Sequence, residues 1–363
     1  MMTCTSTSSG ARRSRTGGQI ITRWKACYVL AALGLLLASP AGANPYLAKP
    51  GEAAQRIRVA TCAISGGFMH LYTAVDQKLF NKYGLQVEFI SISGSGTSLA
   101  ALSAHEIDLL YCAGEATIPG LASGVEAKLV AAPLIGLPWV VLARKGIKRP
   151  EDLKGLAIGI NSPGRLIDRL AKDFLKRFNL ANDVRIRPVG GQGQLEPYNA
   201  MKADIVQAAL VTPPLEVRGQ RDGFNVIFDF RTLNASSIYS ALQASTKIMR
   251  ERPGAVQRFV AGMAEAVHFV ENNPDGAKQS VSKILRLDDE VALGSAYQAY
   301  ARSIVNRSLF IPGNAVAEGL ENARAVGVSV KKKPEELFDN TFAQDLEKSG
   351  FLKELWGPGL KAK

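Results

Sequence analysis

The feature that most constrains this chain is a pattern that occurs twice. A β-branched apolar run gives way to a glycine-bearing loop and then to helical spacing, twice in succession, and a third apolar run follows. In the first half, "IRVATCAI" (57–64) reads as a strand, "SGGFMH" as a loop, and "LYTAVDQKLFNKYG" (71–84) as a helix stopped at Gly84. "LQVEFISI" is the next strand, followed by the loop "SGSGTS", a helix through about Ala104, and the strand "IDLLYCAG". The second half repeats this. "GLAIGIN" (155–161), "SPGR" and "LIDRLAKDFLKRFN" lead to "VRIRPV", the loop "GGQGQ", a helix through Ala203 and the strand "VQAALVT" (206–212). Gly94 and Gly96 correspond to Gly191 and Gly193, and Asn179 stands where the first half has Gly84. A β-α-β-α-β run of this length implies a parallel sheet with right-handed crossovers. The expected fold is therefore α/β with two similar lobes, each a βαβαβ unit. A helical C-terminal part follows, in which Val256, Phe259, Val260, Met263, Val267 and Val270 keep helical spacing after Pro253.

Ligands in open α/β sheets sit beyond the carboxyl ends of the strands. Six such ends are available, and they carry the candidate binding residues: Gly66, Gly67 and Phe68; Ser95 and Thr97; Gly114 and Glu115; Asn161, Ser162 and Arg165; and Thr212. Glycines let a ligand approach the main chain, and helix N-termini offer unpaired N–H donors. Thr97, Ser98 and Ser162 can cap helices or turn a hydroxyl to a ligand. Arg165 is the one full positive charge in these loops, suited to a carboxylate, sulfonate or phosphate. Glu115 is its acidic counterpart, and Phe68 is an aromatic candidate for stacking.

Catalytic chemistry is thinly represented. His70, His105 and His268 are far apart and have no second metal ligand at helical spacing. "SGSGTS" is neither a nucleophile elbow nor a P-loop. No catalytic residue, metal or cofactor is expected. No basic stripe with interleaved aromatics occurs, which argues against nucleic acid. Part of the net charge of +12 lies in residues 1–43, where Arg12, Arg13, Arg15, Arg23 and Lys25 meet no acidic residue. There the apolar core "ACYVLAALGLLLA" and the small residues Ala41-Gly42-Ala43 read as a secretory signal cleaved before Asn44, leaving a soluble extracytoplasmic protein. Cys62 and Cys112 then remain, near the ends of strands that neighbour each other in a 2-1-3 order. A bridge and two buried thiols both stay open at this point.

Four stretches carry a resemblance. "DQKLFNKYGLQVEFISISGSGTSLAALSAHEIDLLYCAG" (76–114), "KGIKRPEDLKGLAIGINSPG" (145–164), "MKADIVQAALVTPP" (201–214) and "RERPGAVQRFVAGMAEAVHFVENNP" (250–274) are similar, in order and spacing, to periplasmic solute-binding proteins. The family is the nitrate/sulfonate/taurine type, which includes thiamine-pyrimidine binders. It implies a type II-like two-lobed fold, with residues 44–140 and 230–363 in lobe 1 and 141–229 in lobe 2. It also implies hinge closure on a small solute and docking on an inner-membrane ABC permease, by a monomer. The chain departs from the pattern at Asp204-Ile205-Val206-Gln207, where Gln207 replaces the family's usual carboxylate. With Arg165 in play, the expected solute is a small organic anion, a sulfonate or carboxylate. The alternatives are a neutral heterocycle such as a pyrimidine, a pyrimidine-forming enzyme on the same scaffold, and a sensory protein that presents a ligand.

Overall fold

The structure is a computed structural model and describes residues 44–357 and 360, apart from 192 and 234. The signal sequence read over residues 1–43 lies outside the described residues. Strands β1 (Gln55–Thr61), β2 (Leu85–Ser91) and β3 (Leu109–Cys112) alternate with helices α1 (Met69–Asp76), α2 (Ser95–Ser103) and α3 (Gly114–Ala122). Then β4 (Ala127–Ile135) and β5 (Val140–Ala143) follow. The second run is β6 (Ala157–Ile160), α4 (Leu166–Arg177), β7 (Arg185–Pro188), α5 (Leu195–Lys202), β8 (Ala208–Val211), α6 (Leu215–Arg221) and β9 (Asn225–Asp229). Strand β10 (Ile238–Ser245) precedes α7 (Thr246–Glu251), α8 (Pro253–Asn272), α9 (Pro274–Leu285) and α10 (Glu290–Tyr297). A π-helical segment (Gln298–Ser303) continues α10, and α11 (Gly313–Ala325), α12 (Thr341–Lys348) and α13 (Phe351–Trp356) complete the described chain.

Two five-stranded sheets result, in the orders β2-β1-β3-β10-β4 and β7-β6-β8-β5-β9. The two share one plan. Three parallel strands in 2-1-3 order are extended by an antiparallel strand, β10 against β3 and β5 against β8. A further antiparallel strand closes each sheet. The doubled β-α-β-α-β reading therefore stands, with the parallel sheet it implies, and the structure adds a helix after the third strand of each run, α3 and α6. The mixed α/β architecture extends it with four antiparallel strands.

Helix α1 is shorter than its spacing suggests. It ends at Asp76, Lys78 turns into the left-handed region (φ 54°), and a 3-10 turn over Asn81–Tyr83 carries the chain to Gly84 (φ 68°). The break turns Phe80 inward, where it stacks on Phe259 of α8 at 4.4 Å. Gly262 on α8 makes room: a Cβ there would stand 2.6 Å from the Phe80 ring. The apolar face read on α8 is wholly buried, from Val256 to Val270. Each such side chain contributes roughly 1.5–3 kcal/mol by leaving water. It packs into the core of the first sheet, while the second sheet has a separate apolar layer on either face.

Candidate functional site

The carboxyl ends of β1, β2 and β3 and those of β6, β7 and β8 each open into a loop, and side chains from the two sets meet. After β1, Ser65 caps the turn Gly66–Phe68 by accepting from Gly67 N at 3.2 Å. Gly66 and Gly67 are buried, and what approaches them is the chain itself. A Cβ on Gly67 would stand 2.5 Å from Tyr239 Cε1, and one on Gly66 3.1 Å from Tyr300 Cε2. Those rings are stacked, with centroids 5.5 Å apart. Gly114 likewise meets Ile238, whose Cγ2 would lie 2.4 Å from an added Cβ. Phe68 is 5% exposed and packs edge-on against Tyr72 and Tyr111, so it is a core residue in this structure and not a free stacking face.

The loop after β2 is different. Gly94 is the N-cap of α2 without a side-chain cap, Ser95 is half-buried, and Gly96 and Thr97 are exposed. Ser98 turns its hydroxyl back to Gly94 O at 2.8 Å. The first-turn N–H groups of α2 have no acceptor within the helix, and Gly96 in that turn is open: a Cβ there would touch nothing within 4 Å. Beneath these loops Cys62 and Cys112 are joined in a disulfide with Cα atoms 5.3 Å apart, tying the end of β1 to the end of β3.

On the second sheet, Asn161 is buried and its Oδ1 accepts from Ser162 N at 2.8 Å. Ser162 is half-buried, and Arg165 is exposed at the N-cap of α4. Thr212 is buried, and its N and Oγ1 both donate to Gln194 Oε1, at 2.5 and 3.2 Å. The loops after β7 and β8 are thereby fastened together.

Among the described residues, several side-chain contacts join the two sets of loops and helices. Arg169, one turn beyond Arg165 on α4, donates to Glu115 Oε2 at 2.5 Å. The other Glu115 oxygen accepts from Ser237. Tyr300 OH donates to Pro213 O at 2.9 Å. Ser295 on α10 donates to Glu216 Oε1 on α6, and Arg221 pairs with Asp289. Gly164 closes on Val326, 2.4 Å from an added Cβ. Burial raises Glu216 above the ordinary carboxylate range and raises the Tyr239 and Tyr300 phenols, which stay neutral. Of these residues, Glu115 alone is among the binding candidates that the sequence offers. Arg169 was within reach, since it falls one helical turn after Arg165. Tyr239, Ser237, Glu216, Ser295 and Tyr300 come from segments with no motif.

Among the described residues no group of three His, Cys, Asp or Glu could hold a metal ion. His70 is fully buried on α1, and His268 packs edge-on against Trp356. Two surface hollows, of about 560 and 490 Å³, lie between α7, the start of α8 and α12, and beside β7, Val189 and α5. No described helix is long and apolar enough to cross a membrane.

The sequence pattern of the family described as NMT1/THI5 like matches residues 66–277. A Brucella abortus protein that bears the name of a binding protein is 27% identical over 238 residues, 64% of this chain and 72% of that protein. A Brachyspira hyodysenteriae protein, named as an ABC transporter periplasmic binding protein, is 24% identical over 223 residues, 57% of this chain and 63% of that one. Among solved structures, the periplasmic aliphatic sulphonate binding protein SsuA of Escherichia coli superposes with a TM-score of 0.65 at 16% identity, covering 79% of this chain and 93% of its own. A periplasmic sulfonate-binding SsuA of Methylobacillus flagellatus gives 0.66 at 16% identity, covering 85% and 99%. At these identities the structural likeness is one of fold.

Proposed function

The chain belongs to the NMT1/THI5-like family and has the two-lobed periplasmic-binding-protein fold, and on that premise we propose that it captures a small solute between its lobes for an ABC-type importer. In this reading lobe 1 is residues 44–140 with 230–363, and lobe 2 is 141–229. A signal sequence is removed near Ala43, and the monomer works outside the cytoplasm and docks on an inner-membrane permease. It carries no catalytic residue and needs no cofactor. The observation that carries the proposal is the set of pairs joining the loops and helices at the two sets of strand ends: Glu115 to Arg169, Pro213 to Tyr300, Glu216 to Ser295 and Arg221 to Asp289. A capture protein of this design needs contacts made only when the lobes meet, because closure is driven by interactions absent from the open form.

The proposed solute is a small organic anion, sulfonate- or carboxylate-like. The exposed first turn of α2 and the N-terminus of α4 with Arg165 offer donors and positive charge to it. Sulfonate-binding proteins share the fold. A neutral heterocycle such as a pyrimidine is the second reading. It is favoured by the stacked Tyr239 and Tyr300 rings and by Arg169 being engaged by Glu115.

The test is a thermal-shift screen of the chain from Asn44, stripped of bound small molecules by unfolding and refolding. The panel holds alkanesulfonates, taurine, nitrate, aromatic carboxylates and pyrimidines. A ligand at a hundred times its Kd stabilises the native state by about 2.7 kcal/mol. An anion hit abolished by Arg165→Ala supports the anion cradle. A pyrimidine hit indifferent to Arg165→Ala supports the second reading. A folded protein with no hit across the panel counts against both.

A further inference from the structure

We infer that Glu216 is a proton-operated latch: its neutral carboxyl lets the two lobes close, and its ionisation drives them apart. The inference rests on the closing motion proposed above. It starts from the placement of one side chain. Glu216 stands in the first turn of α6, at the end of the loop after β8, and is 4% exposed. Its Oε1 accepts from Ser295 of α10, which belongs to the opposite lobe. Its Oε2 is buried and has no hydrogen-bond partner. An ionised carboxylate with one unpaired buried oxygen is costly, whereas a neutral one is much less so.

The surroundings do not supply the missing charge. From β9 and the turn that follows it, Arg231 and Asp229 both act on Glu216. They are locked to each other by Arg231 Nε to Asp229 Oδ1 at 2.8 Å and Nη2 to Oδ2 at 2.7 Å, so their effects oppose. From the π-helical segment comes Tyr300, a neutral phenol. Strand β5, packed against α6, brings only Val140, Val141, Leu142 and Ala143. From α10 come its N-cap Asp289, already paired with Arg221 of α6 itself, and Glu290, paired with Lys278 of α9. Burial is the dominant influence on Glu216 and raises its pKa.

The sign follows from linkage. Opening returns Glu216 to water and to an ordinary carboxylate pKa, so the closed form binds the extra proton. Closure is then favoured as pH falls through the raised value toward the ordinary one, and weakens as pH rises. Asp289, whose partner Arg221 lowers its pKa, titrates below this window and does not mask it.

Small-angle X-ray scattering of the chain from Asn44, between pH 8 and pH 4.5, tests the latch without any ligand. The radius of gyration should fall on acidification, with the closed-to-open ratio changing by up to about tenfold per pH unit for one proton. Glu216→Gln should hold the low-pH radius throughout. Ser295→Ala removes a bond that favours the ionised form, so it should move the transition to higher pH. A purely structural Ser295 would produce no such displacement. Arg221→Glu sets two carboxylates face to face at the rim and serves as the control for motion. If Arg221→Glu expands the molecule while the native chain is indifferent to pH, or if Glu216→Gln titrates like the native chain, the latch is wrong and the capture reading stands. If neither Arg221→Glu nor pH changes the radius, the lobes do not move and the closing motion fails with it.

Discussion

Gly114 and Gly96 are both glycines of strand-end loops, yet they should answer a methyl group in opposite ways. At Gly114 an added Cβ meets Ile238 at 2.4 Å and the Ile238 carbonyl oxygen at 2.9 Å. The backbone of β10 cannot step aside cheaply, so Gly114→Ala should cost about 1–3 kcal/mol in denaturant unfolding. At Gly96 nothing lies within 4 Å and the residue is inside α2. Gly96→Ala should be neutral or stabilising by up to about 1 kcal/mol, since alanine is the better helix former. The sequence marks both as loop glycines and cannot tell them apart, because the deciding neighbour lies far away in the chain. The same limit applies to Phe68, whose partners Tyr72 and Tyr111 turn it into core. His70 offers a pH test at this scale. It is fully buried with neither ring nitrogen partnered, and burial pushes its pKa down to about 3. The unfolded chain takes up a proton below about pH 6.5, and the folded chain does so only near the lowered value. Stability should therefore fall by up to about 1.4 kcal/mol per pH unit on acidification through that window. His70→Leu should lose visibly less over the same range in pH-dependent thermal unfolding.

The elements that sequence reading recovers are those whose signal is local. β1, β2 and β3, β6, β7 and β8, and the helices between them follow from apolar runs punctuated by glycine. The antiparallel strands do not. β4 and β10 are buried along nearly their whole length, so they show no period of two, and β4 contains Pro133. Their role depends on partners brought from distant parts of the chain: Leu134 and Ser240 pair across the stretch that holds the whole second sheet. Helix α1 shows the reverse error, in which helical spacing runs on past a real stop at Lys78 because Phe80 is claimed by α8. The disulfide belongs to this scale too, since it fastens two strands and not merely two residues. With Cys62 and Cys112 separated by 50 residues, a chain-entropy account gives the bridge about 4 kcal/mol. Cys62→Ser with Cys112→Ser should lower Tm and the denaturant midpoint accordingly, within the usual range of about 2–5 kcal/mol. Ligand affinity should also fall, because the loops carrying Gly66–Phe68 and Glu115 spring from the two strands it joins.

At the scale of the molecule, the chain crosses between its sheets twice, and the crossings run side by side. Ile135 pairs with Ile238, Gly136 N donates to Ser237 O at 2.7 Å, Phe230 N donates to Trp139 O at 2.9 Å, and Val140 pairs with Asp229. Such a double connection restrains the lobes to a hinge-like motion in the proposed mechanism, and the contacts of Glu115, Glu216 and Arg221 lie where that motion would close. The same arrangement has a meaning for how such a gene can be built. Everything in the second sheet is encoded between β4 and β10, and the two ends of that stretch leave and return one hydrogen bond apart. It is a cassette in the reading frame. Cutting it out and joining Ile135 to Ile238 by a short reverse turn would leave β4 and β10 as an ordinary hairpin, with all five strands of the first sheet still in place. By the same token, a different cassette could be spliced in at that point without disturbing the sheet that receives it.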